Sequence, residues 1–264
     1  MKNSAFVCGV RIDYILCKLT MSDIPSLPPE SLRLSYRGDH TADRGYESYI
    51  NDLGVDLRPG EHVLDVGAAA GTFAREVWQH SNGMVTVDSL DTFSSDDVVA
   101  GRIHFKNSRG GAVQTNEYWP NNRIVGDITK GIDVPNESYD HVVSSYAVPV
   151  WVNTPEEMFF ALTEMLRVCK VGGDVRLFPM EKNIQGLLSG FDYPEILARA
   201  KNVVQSHGHN FRLEQVTDST GTLIENVYRV VIEKGGSSLP TVEEFQRLAM
   251  IARLTIALRK FAIS

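Results

Sequence analysis

Residues 62–77 constrain this chain more than any other stretch: His-Val-Leu-Asp-Val, then Gly-Ala-Ala-Ala-Gly, then Thr-Phe-Ala-Arg-Glu-Val. The first five read as a short buried strand, the next five as a tight turn of small residues, and the last as the start of a helix. Such a strand, turn and helix bring backbone N–H groups and the positive end of the helix to one point, where a nucleotide-like ligand can lie against them. Gly67 and Gly71 permit close backbone approach and positive φ. Asp65, at the carboxyl end of the strand, is expected to supply a fixed negative charge. A pyrophosphate-binding turn calls for G-x-G-x-x-G, and here Ala69 and Thr72 stand at the second and third glycine positions, so that fingerprint fails. A turn that only packs tightly is the other reading of the same residues.

The pattern D-x-G-x-(G/A)-x-G does fit, through Asp65, Gly67, Ala69 and Gly71. In this the chain resembles the first motif of class I S-adenosylmethionine-dependent methyltransferases, and over residues 61–180 their small-molecule "type 11" branch. The resemblance implies an α/β fold: a Rossmann-like, seven-stranded, mostly parallel sheet with helices on both faces and an antiparallel C-terminal hairpin strand. It also implies S-adenosylmethionine as cofactor, its ammonium and sulfonium lying against the turn. An acid there suits a cation.

Beyond the turn, 72–79 reads as a helix with Phe73, Val77 and Trp78 on its buried side and Asn82-Gly83 as its stop. Residues 84–88 read as the second strand, ending at Asp88. A carboxylate about 20 residues past a glycine turn can accept two hydrogen bonds from a ribose diol, so Asp88 is the expected partner and Asp91 the fallback. Ser94 to Asp97 can cap a helix through Val98, Val99 and Ile103, which Gly101 weakens, and the rest of 92–122 carries little pattern. Residues 123–128 return to strand character; the resemblance gives Asp127 the adenine amino group and the Ile128 amide a ring nitrogen. Tyr139-Asp140 stands where the family commonly has Phe-Asp, before a strand over 141–145. There the resemblance places Ser145 and Tyr146 at the methionine end of the cofactor, with Trp151 walling the substrate side. Asp65, Asp88 and Asp127 are thus expected to converge on one rim. The chain lacks the Asn-Pro-Pro-Tyr and Asp-Pro-Pro-Tyr of amino-directed DNA methylases and the Pro-Cys of cytosine carbon-5 methylases.

Thr154-Pro155-Glu156-Glu157 opens a helix with a threonine cap, a first-turn proline and a glutamate three residues after the cap. Met158, Leu162, Met165, Leu166 and Cys169 recur at helical spacing as its buried face. Residues 164–173 resemble the family's E-x-x-R-V-L-K-P-G-G signature, with Val171 at the proline position. A strand over 174–179, a helix from Tyr193, strands over 211–216 and 227–232 and an amphipathic helix from Thr241 complete the pattern. The last helix could cover the domain or pair with a second copy of the chain. His207 and His209 flank a glycine after a helix and read as loop or cap rather than metal ligands; no metal site is expected.

Composition limits the partners. The chain has 264 residues and a net charge of -7, with no long Lys/Arg run, so neither nucleic acid nor an anionic membrane is an expected partner. Its three cysteines, Cys8, Cys17 and Cys169, lack C-x-x-C spacing and suit a reducing, cytoplasmic compartment. Met21 reads as a start, and 1–30 as a poorly ordered, non-targeting extension before one domain over 31–264. Tyr36, Arg37 and His40 are candidate lid or substrate contacts, with Tyr36 or His40 as a base if the acceptor must lose a proton. The expected activity is methyl transfer to a small-molecule acceptor. A fold relative without chemistry, acting as a binding or scaffold protein, and an NAD-dependent oxidoreductase are the alternatives.

Overall fold

Short apolar runs separated by Gly-, Pro- and Asp-rich turns give this chain its strands, and 3.6-residue apolar spacing gives its helices. The computed structural model describes residues 39–41, 46–99, 104–106, 122–152, 154–181, 193–217, 223–241, 243, 244 and 247. In chain order the elements are β1 (Asp39–Thr41), α1 (Tyr46–Leu53), β2 (His62–Val66), α2 (Thr72–His80), β3 (Thr86–Asp91), α3 (Ser95–Val99), β4 (His104–Lys106) and β5 (Arg123–Val125). Then follow β6 (Tyr139–Ser145), α4 (Val148–Trp151), α5 (Pro155–Val168), β7 (Cys169–Glu181), α6 (Tyr193–Ser206), β8 (Asn210–Thr217) and β9 (Leu223–Glu233).

Seven strands form one sheet in the order β5-β3-β2-β6-β7-β9-β8. The first five run parallel, and β9 is antiparallel to both β7 and β8. The fold is therefore α/β with a mixed, mostly parallel sheet, as expected. β1 and β4 pair separately as a small parallel sheet that no pattern in the sequence announced. The chain begins the large sheet at β2, steps outward to β3 and β5, and then returns to the other side of β2 with β6. That reversal opens a crevice above the carboxyl ends of β2 and β6, where sheets of this kind take their ligands.

Both faces of the sheet are covered. On one, Leu64, Val66, Leu90, Val142, Val175 and Leu177 pack with Met158, Leu162, Met165 and Leu166 of α5 and with Leu197, Ala200 and Val204 of α6. On the other, Val63, Val87 and Val143 pack with Leu53 of α1 and with Phe73, Ala74 and Val77 of α2. Each fully buried Leu or Met contributes roughly 1.5–3 kcal/mol. α5 starts as its sequence requires, the Glu157 amide donating to Thr154 Oγ1 at 3.1 Å with Pro155 in the first turn.

Several boundaries differ from the sequence reading. Trp78 is 52% exposed, because α2 turns only its Phe73, Ala74 and Val77 side to the sheet. The second strand of the sheet runs three residues past Asp88, to Asp91. Cys169 is not in α5 but caps it and begins β7, where it is fully buried. Its burial, with Asp174 nearby, pushes the thiol up to about 12, so it is core and no nucleophile. At Thr241 the expected helix start is a reciprocal box, the Thr241 amide donating to Glu244 Oε2 at 2.7 Å and the Glu244 amide to Thr241 Oγ1 at 3.2 Å. Most of that helix, the extension over 1–30, Tyr36, Arg37 and the side chains of His40 and Trp151 lie outside the described residues.

Candidate active site at the carboxyl rim

The turn between β2 and α2 is built from its own backbone outward. The Gly67 and Ala68 amides donate to the Leu90 carbonyl at 2.8 and 3.1 Å, which hooks the turn over the end of β3. Gly67, Ala69 and Gly71 all lie at positive φ, 78°, 48° and 73°. Ala69 is the strained member, since a Cβ in that region costs about 1–2 kcal/mol. Two side chains hold it: the Ala69 amide donates to Asp91 Oδ2 at 2.9 Å, and Arg123 donates to the Ala69 carbonyl through Nη2. The Arg123 guanidinium also stacks on the Phe93 ring, 4.7 Å from its centroid.

Gly67 is required for a reason internal to the chain. A Cβ there would come within 2.1 Å of the Ala147 Cβ, the residue that caps α4. Ser144 brings that cap in, its hydroxyl donating to the Val66 carbonyl and accepting from the Val148 amide, each at 3.0 Å. The close approach at Gly67 is thus made by Ala147.

Asp65 lies directly under the turn. It is fully buried, and neither carboxylate oxygen has a hydrogen-bond partner among the described residues. Burial, reinforced by the Asp91 carboxylate and opposed by Arg123, pushes it up to about 8. At neutral pH it therefore holds a proton, which corrects the expectation of a fixed negative charge. The cause is depth: β2 is covered on both faces, and the residues pairing with Asp65 are Ser89 and Val143.

Asp65, Asp88 and Asp127 do not converge. Asp88 sits inside β3, in register with Leu64, and its Oδ2 accepts from the Tyr139 hydroxyl at 2.9 Å and meets His62 Nε2 at 3.1 Å. His62 and Tyr139 begin β2 and β6, so Asp88 faces the amino ends of the strands, away from the turn. Asp91, the fallback, is the acid that ends β3 at the turn, and its Oδ1 accepts from the Thr92 amide at 2.7 Å. Asp127 lies at the carboxyl rim two residues past β5, but its carboxylate folds back on its own turn. Its Oδ1 accepts from the Thr129 amide at 3.0 Å and the Thr129 hydroxyl at 2.6 Å, while Oδ2 pairs with Lys130 at 2.9 Å. These bonds outweigh burial and hold Asp127 below the usual carboxylate range. Ile128 beside it is buried in the core.

Ser145 ends β6 and is buried. Tyr146 follows at φ 59°, its amide donating to the Phe178 carbonyl at 2.6 Å and its ring meeting Phe178 edge-on at 5.3 Å. Both stand at the crevice between β2 and β6. Arg123, Ser89, Phe93 and Ala147 escaped the sequence reading. The signal for one of them was present, since Arg123 is a charged residue at the head of an otherwise apolar strand.

Comparison with solved structures finds distant matches. A S-adenosylmethionine-dependent methyltransferase from Aquifex aeolicus is 15% identical, with 78% of this chain and 93% of that one covered at a TM-score of 0.45. One from Methanosarcina mazei is 17% identical over 67% and 94%, TM-score 0.39. A precorrin-6y C5,15-methyltransferase from Geobacter metallireducens is 15% identical over 71% and 89%, TM-score 0.41. No family model and no curated protein matches the sequence. The fold resembles that of class I S-adenosylmethionine-dependent methyltransferases. The order and directions of the seven strands carry that resemblance.

Proposed function

We propose that the chain is a S-adenosylmethionine-dependent methyltransferase acting on a small-molecule acceptor. The observation that carries this is the turn over 67–71, set at the strand-reversal crevice, with Asp91 at its rim and the unpartnered Asp65 beneath it. A buried carboxyl group with no partner is costly, and a ligand that supplies a donor or a positive charge would relieve it. The site therefore fits a cofactor carrying both a ribose and a cationic amine. Asp91 would accept from the ribose hydroxyls, because a carboxylate with two backbone bonds retains acceptor capacity. The Asp127 turn and Ile128 would flank the base, and Ser145 and Tyr146 the methionine end.

Bound S-adenosylmethionine would supply a methyl group already activated by its sulfonium. The chain's own part is then to bind, orient and exclude water, which brings an acceptor into line without an obligatory catalytic residue. If the acceptor must shed a proton, Tyr36 or His40 is the proposed base. Placement in the cytoplasm and action without nucleic acid or membrane belong to the same proposal. Among the described residues no helix is long and apolar enough to cross a membrane.

A second reading is favoured by two observations: Ala147 fills the space beside Gly67, and Asp88 is committed elsewhere. A chain of this fold could then serve as a binding or scaffold protein. Calorimetric titration with S-adenosylmethionine, S-adenosylhomocysteine and NAD separates the cases. Binding of the first two, weakened at least tenfold by Asp91→Asn, is the expected result; a single good hydrogen bond to a charged group is worth about 1.5–3 kcal/mol. Binding of NAD alone would assign an oxidoreductase, and silence from all three would favour the scaffold.

A further inference from the structure

Asp65, Ser89 and Arg123 form a row across three neighbouring strands. Asp65 pairs in register with Ser89, and Ser89 with Arg123. Residues paired in register on parallel strands point to the same face, so the three polar side chains share the face that carries Val63, Val87 and Val143. Asp65 and Ser89 are fully buried, and neither the carboxylate oxygens nor Ser89 Oγ has a hydrogen-bond partner among the described residues. Arg123 ends the row, and the same guanidinium that faces Asp65 electrostatically holds the Ala69 carbonyl of the turn. One side chain thus touches the strained backbone against which a ligand would lie and biases the buried acid below it.

We propose that Arg123 is a positioning residue that couples the shape of the 67–71 turn to the charge state of Asp65, so that a cationic ligand is admitted as Asp65 gives up its proton. Among the described residues, the charged groups on the other elements that cover this side of the sheet include Asp91 on β3, Arg75 and Glu76 on α2, which pair with each other at 3.8 Å, and Arg176 on β7, held by Asp174 at 2.8 Å; Asp88 of β3 points instead to His62 and Tyr139. Asp91 and Arg123 are the two that act on Asp65, in opposite senses. Removing the Arg123 charge leaves Asp91 unopposed and strengthens the hold of Asp65 on its proton. The ligand half of this inference rests on the methyl-transfer reading; the proton half does not.

The test has two arms on the full chain. In the first, the Asp65 carboxyl is titrated without ligand by carbon-13 NMR of labelled aspartate, assigned with Asp65→Asn. Arg123→Met is expected to raise the Asp65 midpoint by about one pH unit or more, and Arg123→Lys to restore it. Should Arg123→Met fail to fold, Arg123→Gln removes the charge while keeping a donor for Ala69. An unchanged midpoint in a folded, charge-free variant overturns the proposal. In the second arm, S-adenosylmethionine and its thioether product, which lacks the sulfonium and keeps the ammonium, are titrated from pH 6 to 9. Affinity for S-adenosylmethionine is expected to fall by up to about tenfold per pH unit below the Asp65 midpoint, and to follow that midpoint in Arg123→Met; the thioether, which keeps the ammonium, shows the same slope where the ammonium meets Asp65 and none where the sulfonium does. A flat S-adenosylmethionine profile overturns the coupling. If neither compound binds at any pH, the methyl-transfer reading fails, and the first arm still decides the role of Arg123.

Discussion

Asp65 is a carboxyl group that folding forces to keep its proton, and that sets its effect on stability. Its native value of about 8 lies above its ordinary 3.8, so the native chain holds a proton that the unfolded chain releases. The penalty is absent below about pH 4, grows as pH rises, and levels off above about pH 8. Asp65→Asn, which needs no proton, is therefore expected to raise the melting temperature by several degrees at pH 8.5 and by little at pH 4.5. An equal gain at both values in thermal melts would show that Asp65 ionises normally. Gly67 poses the opposite problem, because the conflict there is steric. Gly67→Ala sets a Cβ against Ala147 at a φ of 78°, and overpacking together with left-handed strain costs about 2–5 kcal/mol. Pairing it with Ala147→Gly in a double-mutant cycle is expected to recover the packing part and leave the backbone part.

Helix α5 is the element most fully legible in the sequence: cap, first-turn proline and the apolar face from Met158 to Leu166 lie where the spacing puts them, with Cys169 alone passing to β7. Thr154→Ala is expected to cost about 1 kcal/mol in urea denaturation, with Thr154→Ser close to wild type, since the cap needs only the hydroxyl. Strand β3 shows where such reading stops. Asp88 reads as a strand end because a charged residue inside a buried strand is unfavourable. Tyr139 and His62, distant in sequence, remove that cost by bonding it, and the strand continues to Asp91. In β7 the same happens in reverse. The pair Gly172-Gly173 reads as a turn, yet the Gly172 amide donates to the Lys234 carbonyl at 2.7 Å and the Lys234 amide to the Gly173 carbonyl at 2.9 Å, which extends the strand back to Cys169.

Across the whole molecule, the amino-end side of the central strands, opposite the candidate site, is tied by charge. His141 bonds Asp174 at 3.0 Å and Glu61 at 3.2 Å, and Arg176 grips Asp174 while bonding the Leu53 and Gly54 carbonyls at the end of α1. The two carboxylates raise His141 against the effect of its burial, and His141 with Arg176 draws Asp174 down to about 2. A histidine raised in the native state stabilises fully below its unfolded value near 6.5, and that contribution is lost as pH climbs through the native value. Asp174 stabilises above about 3.8 and loses its contribution as pH falls towards 2. The stability this cluster supplies is therefore expected to be greatest between about pH 4 and 6.5 and to decline on the alkaline side, adding to the decline from Asp65 that begins above about pH 4. His141→Gln should lower it by roughly 1–3 kcal/mol at pH 6 and flatten that decline, as read by denaturant midpoints across pH. The sequence by itself determined the alternation of strands and helices, the glycine turn at the head of α2 and the apolar faces of the helices, because each follows from local spacing and local dihedral preference. Only the tertiary structure decided which acids meet the turn, that Asp65 is neutral, and that Arg123 and Ala147 reach it. Those outcomes depend on which strands become neighbours and how deeply each is covered, and no short window of sequence contains that information.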